Sequence, residues 1–176
     1  MLVAAWLCVL LDARFSGRAW LPLAAVTPLA VLAAGFTGRA VRKSDRLQVL
    51  SAAVLGAIVV PLELAAGVPA PAALMTGTVW TIVFVASALL VRGAFERSRR
   101  RRRPWALWDP AALAMTALTA AGFAWAGRSR EALALGAALT GLVLVSTRRP
   151  TVKRMKPVGL ALAGIAGAVL VVLALA

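Results

Sequence analysis

Six carboxylates carry all the negative charge of this chain: Asp12, Asp45, Glu63, Glu96, Asp109 and Glu131. No two of them lie within ten residues of each other. A helical-bundle prenyltransferase needs clustered aspartates of the Asp-x-x-x-Asp type to hold magnesium on a diphosphate, and no such cluster occurs. The chain has no His, no Tyr and no Asn, and Cys8 is its one cysteine. A single thiol forms no intramolecular disulfide, and without His it closes no zinc site. Triads built on an imidazole base, and haem held by His, are excluded on the same ground. The residues lean away from an enzyme and ask for no cofactor or metal. An intramembrane lipid-modifying enzyme of prenyltransferase-like architecture is the alternative reading.

Two features still carry chemistry. Glu63 stands inside an apolar run, four residues before Gly67 and two after Pro61. A carboxylate in a membrane segment is costly and marks a functional position by default. Pro61 frees a backbone carbonyl beside it, so a proton or a cation is the expected ligand. The competing reading is a carboxylate that reaches the outer interface and is solvated there. The second feature is the run from Arg97 through Arg99, Arg100, Arg101, Arg102 and Arg103. It could hold phosphates of a nucleic acid or of anionic lipid headgroups, at about 1 kcal/mol per basic residue near a membrane surface. No aromatic residue interleaves the arginines, so bases have nothing to stack on. Headgroup contact is favoured, and nucleic acid is the weaker reading.

The elements that position these residues follow from composition. The 176 residues are 62% hydrophobic and only 15% charged. Soluble domains average about 45–50% and about 25%. A chain of this length has no core large enough to hide that much apolar surface, so a lipid bilayer is its solvent. A spanning helix needs about 20 apolar residues. Cutting the chain at its charges yields runs at 19–36, 47–67, 72–91, 110–127, 132–146 and 157–176, with a short partial segment at 1–11. The expected fold is all-α: one polytopic transmembrane helix bundle over 1–176, with six full spans and a truncated or half-spanning start. The run at 132–146 is the weakest, since at ~1.5 Å per residue it reaches about 22 Å.

Every basic residue falls in a connection. Seventeen are Arg and three are Lys. The loops at 37–46, 92–109 and 147–156 carry four, seven and five, which is sixteen of the twenty. The loop at 12–18, that at 68–71 and that at 128–131 carry two, none and two. The positive-inside rule places the rich set in the cytoplasm and the C-terminus outside. Abundant Ala, Arg and Gly with scarce Lys and Asn suggest a GC-rich genome, hence a bacterial cytoplasmic membrane.

Local signals agree with these cuts. Ser44 and Asp45 can cap the run at 47–67. Asp109-Pro110 reads as a cap followed by a proline at the first helical position, and Pro157 opens the last run in the same way. Pro22, Pro28 and Pro61 should bend their helices. Trp20, Trp105, Trp108 and Trp125 sit at run ends, as an interfacial belt requires. Gly159, Ala163 and Gly167 recur at every fourth residue, a small-residue ridge suited to close packing within the chain or between protomers. Thr76, Thr78, Thr81, Ser87, Thr116, Thr119 and Thr140 could line a path, although such hydroxyls more often bond their own i−4 carbonyl.

The basic stretch Arg42-Lys43-Ser44-Asp45-Arg46, the run ending Pro61-Leu62-Glu63-Leu64, and the run ending Leu89-Leu90-Val91-Arg92 form a pattern. So do Arg148-Arg149-Pro150 and Lys156-Pro157-Val158-Gly159. Together they resemble the C-terminal two-thirds of the YwiC-like bacterial membrane proteins. The resemblance covers about residues 10–176 and implies architecture rather than chemistry. That family begins with a His-Gly-Ala-Trp segment, which a chain without His lacks, so an N-terminally shortened member is expected. The function read from all this is a multi-pass membrane protein: a small transporter or a membrane scaffold. Its partners are the bilayer, anionic headgroups at the cytoplasmic face and, through the ridge, a second copy.

Overall fold

A computed structural model describes residues 45–98, 108–148 and 155–175. The expected segments at 1–11 and 19–36 lie outside the described residues, with Trp20, Pro22, Pro28, Ser44 and Trp105. Six helices follow in order: α1 Asp45–Ala57, α2 Val59–Ala65, α3 Ala70–Ser98, α4 Trp108–Trp125, α5 Ser129–Thr147 and α6 Met155–Leu175. All regular structure among the described residues is helical.

Helices α1 and α2 are one rod with a break at Ile58, three residues before Pro61. The proline ring lacks an N–H and clashes with the carbonyl four residues earlier, which is that of Ala57. The break in the helix therefore falls where its cause sits. At the far end of this rod, Gly67 adopts φ 84°. Val68 N–H donates to Glu63 O at 2.9 Å and Gly67 N–H to Leu64 O at 3.1 Å. This is a Schellman turn, which needs a left-handed residue and hence favours glycine. The same motif ends α4. Gly127 has φ 71°, and Arg128 N–H donates to Phe123 O at 2.8 Å. These two tight reversals start α3 and α5.

The longest helix, α3, touches α1, α2, α4, α5 and α6. Its contact with the α1–α2 rod is antiparallel, because Gly56 lies against Thr81 and Val60 against Gly77. Four residues forward on one helix are four back on the other. Small residues permit this close approach of backbones. The core is Val79, Val83, Ala86 and Leu90 of α3, Ala134, Leu135, Ala138 and Leu142 of α5, and Ile165 and Val169 of α6. Buried positions on α5 recur at three- and four-residue steps from Glu131 to Val145, the stripe of a helix with one face inward.

The outer surface is apolar as well. Leu118, Leu160 and Leu175 are each more than 70% exposed. Large exposed apolar surfaces mark contact with a membrane or a partner. Four segments are long and apolar enough to cross a membrane by length and composition: Gln48–Ala65, Ala70–Phe95, Ser129–Thr147 and Lys156–Leu175. The expected span at 132–146 is thus extended at both ends and qualifies. The run expected at 110–127 does form a helix, α4, but it is not among the four. Its 18 residues begin Trp-Asp-Pro, and those polar positions dilute it.

Candidate functional site

The turns at 66–69 and 126–128 lie at one end of the bundle, and Glu63 is at that end. It sits on α2 one turn before Gly67. The Thr76 side chain of α3 interacts with its carboxylate, and the charge of Arg130, from the first turn of α5, acts on it as well. Three helices therefore converge on this one acid. Glu63 Oε2 is buried and has no hydrogen-bond partner among the described residues. A buried acceptor left unpaired costs about 1–3 kcal/mol, more when charged.

Of the hydroxyls read from the sequence, Thr76 acts on Glu63, and Ser87 lines a groove between α1 and α3. Thr78, Thr81, Thr116, Thr119 and Thr140 each donate to the carbonyl four residues earlier, at 2.7 to 3.0 Å. These five hydroxyls bond their own helices. The spacing of threonines along α3 gives no hint of which one faces Glu63; only the packing of α2 on α3 selects Thr76.

Glu131 lies at the same end and escaped the sequence reading, which counted it as a loop residue. It is 8% exposed. It falls in the first turn of α5, where the positive end of the helix dipole favours a carboxylate. The signal that could have found it is its spacing of three, four and seven residues from Ala134, Leu135 and Ala138.

The opposite end holds a second polar contact. Arg97 near the end of α3 donates through Nη1 to Asp109 Oδ2 of α4, with side chains 15% and 18% exposed. Arg97 was expected at lipid headgroups; the structure turns it inward to an acid twelve residues away. Asp109 was expected as a cap. In the structure Asp109 and Pro110 lie in the first turn of α4, which is described from Trp108 on. Pro157 likewise lies near the start of α6, described from Met155 on. Both prolines are tolerated because the first four N–H groups of a helix have no internal acceptor. Gly93 makes the ion pair sterically feasible, since a β-carbon there would collide with Asp109 Oδ1. Asp109 Oδ1, Arg97 Nε and Arg97 Nη2 are buried without partners among the described residues. Arg99, Arg100, Arg101, Arg102 and Arg103 lie outside the described residues.

The small-residue ridge points away from every described helix. Gly159, Ala163 and Gly167 are exposed, and a β-carbon on either glycine meets nothing. The buried stripe of α6 is Val158, Ile165, Val169 and Leu173, rotated from the ridge. Close packing within the described chain uses other glycines: Gly141 of α5 receives Ile165. Among the described residues no group of three potential metal-ligating side chains converges.

Neither a family model, nor a curated protein, nor a solved structure matches this chain.

Proposed function

We propose that this chain is a multi-pass protein of a bacterial cytoplasmic membrane, YwiC-like in architecture, that works as a small transporter with Glu63 as its exchangeable site. The observation that carries the reading is the environment of that carboxylate. One face meets Thr76 and the field of Arg130, and Oε2 is buried and unpartnered. A proton or a small monovalent cation fits the open oxygen, and Arg130 supplies a competing positive charge when that ligand leaves. The Pro61 break lies on the same rod, and interrupted helices are where membrane transporters place such ligands. A scaffold would need no such group.

The bilayer reading rests on four long apolar helices and on the placement of bases. With the loops at 37–46, 92–109 and 147–156 in the cytoplasm, the Glu63 end faces outward and the C-terminus lies outside. Six spans, with 19–36 and 110–127 included, complete the bundle.

The test is flux in proteoliposomes loaded with a pH-sensitive dye, under an imposed potassium or sodium gradient. Wild type should move protons or the cation. Glu63→Gln should abolish the flux, and Glu63→Asp should retain part of it. Flux of equal size in wild type and Glu63→Gln sinks the assignment. A periplasm-dependent reporter fused after Ala176 should be active, and an inactive one reverses the orientation.

A further inference from the structure

Helices α5 and α6 pack closely along their buried stripes, with Ile165 on Gly141, but a gap stays open on one side of that seam. Ala161, Gly164 and Ala168 of α6 are too small to fill the gap, and a groove of about 470 Å³ remains. It runs from Pro157 to Ala168, about 16 Å at ~1.5 Å per residue. Among the described residues one charged side chain lines it: Arg148, just past the C-terminal end of α5. Lys156 is exposed in the first turn of α6. Among the described residues, Arg148 and Lys156 make this end cationic, and the body is apolar.

We infer that this groove is a binding site for one anionic phospholipid, its acyl chain between α5 and α6 and its headgroup phosphate at Arg148. Basic pockets between membrane helices are suited to anionic headgroups. The charge decides the occupant. A neutral lipid fills the apolar part equally well, because an acyl chain gains no hydrophobic energy on leaving a bilayer for an apolar groove. Selectivity must come from Arg148. A second copy of the chain is disfavoured, because a two-fold contact along this groove sets the same basic mouths side by side. The inference rests on the membrane reading but not on Glu63.

The experiment uses the full chain, reconstituted with vesicles of equal phosphatidylglycerol and phosphatidylcholine. It is then extracted in neutral detergent and weighed by native mass spectrometry. Wild type should retain one phosphatidylglycerol, at least about fivefold over phosphatidylcholine, the ratio that ~1 kcal/mol for one basic residue gives. Arg148→Gln should bring that ratio down about fivefold. Gly164→Leu fills the groove from a position where a β-carbon meets nothing, and it should lose the retained lipid of either kind. Ala168→Phe does the same from the other end, so one misfolded variant does not decide the matter. Gly159→Leu, on the outward ridge, should retain lipid as wild type does. Retention unchanged in folded Gly164→Leu and Ala168→Phe, or an anionic preference unchanged in Arg148→Gln, overturns the site. A dimer peak that Gly164→Leu removes assigns the groove to a second copy and overturns it as well. A chain that alkaline carbonate washes off the membrane fails the membrane reading instead, whereas one that stays and holds no lipid fails only this inference.

Discussion

A glycine series separates two kinds of helix contact in this bundle, and their energies differ in sign. A β-carbon built on Gly56 falls 2.6 Å from Thr81 N and 2.8 Å from Trp80 C, with Thr81 Cα closer still. These are backbone atoms of α3, which no rotamer change can move. Relief needs the α1 and α3 axes to part by about 1 Å, from a typical interaxial distance of about 8–10 Å. Overpacking of this kind costs about 1–3 kcal/mol. At Gly141 the obstacle is the Ile165 side chain, with Cδ1 at 2.8 Å, and a rotamer adjustment costs about 0.5–1.5 kcal/mol. Gly122 and Gly136 meet nothing, so alanine there contributes only its helix preference, about 0.5–1 kcal/mol. That preference also offsets part of the cost at the other two positions. The expected order of stability is therefore Gly122→Ala and Gly136→Ala above wild type, Gly141→Ala near it, and Gly56→Ala lowest by about 1–2 kcal/mol. Reversible unfolding in mixed micelles, followed by far-ultraviolet circular dichroism, reads all four. A Gly56→Ala variant as stable as Gly122→Ala would refute the close backbone contact and, with it, the register of α1 on α3.

Two further outcomes follow from local geometry. Gly67→Ala and Gly127→Ala should each lose about 1 kcal/mol in the same unfolding assay, because left-handed backbone is disfavoured for residues with a β-carbon. Asparagine at either position should recover part of the loss, and a neutral Gly67→Ala contradicts the turn. Removing one partner of the Arg97–Asp109 pair leaves a largely buried charge alone, so Arg97→Gln and Asp109→Asn should each destabilise by about 2 kcal/mol, discounted from the range for fully buried pairs. The double variant should cost less than the two singles added, by about 1 kcal/mol, and strict additivity shows that the two side chains do not meet.

The legible part of the fold was the part that composition controls. Apolar runs long enough for a bilayer announce helices wherever they occur, so the helices at 129–147 and 155–175 could be drawn from the sequence with ends off by one to three residues, whereas α3 runs seven residues past its expected end at 91, through what was read as a loop, to Ser98. The break at Ile58 was legible because Pro61 acts on its own helix. The run at 110–127 was legible as a helix, but its polar first turn leaves α4 outside the four segments apolar enough to span. Glu63 stood out as an acid among apolar residues. Its partners did not, because Thr76 and Arg130 are 13 and 67 residues away in the chain and belong to other helices. Arg97 was misplaced for the same reason: in a run of arginines nothing marks the one that folds back onto Asp109.

What the sequence determined alone is everything that depends on one residue and its solvent or its near neighbours. That includes the helical class, the affinity for a bilayer and the break before Pro61; the bases gather near the ends of the apolar runs, but Arg46, Arg92, Arg97, Arg130 and Lys156 lie on helices rather than in connections. What tertiary structure decided is everything that depends on which face of a helix meets which. Periodicity places Gly159, Ala163 and Gly167 on one ridge, yet the buried stripe of α6 is Val158, Ile165 and Val169, and the ridge looks outward. In a chain apolar on all sides, hydrophobicity no longer distinguishes inward from outward. Shape takes over that role, through glycines that admit Thr81, Val60, Asp109 and Ile165, and shape exists only once the helices have been brought together.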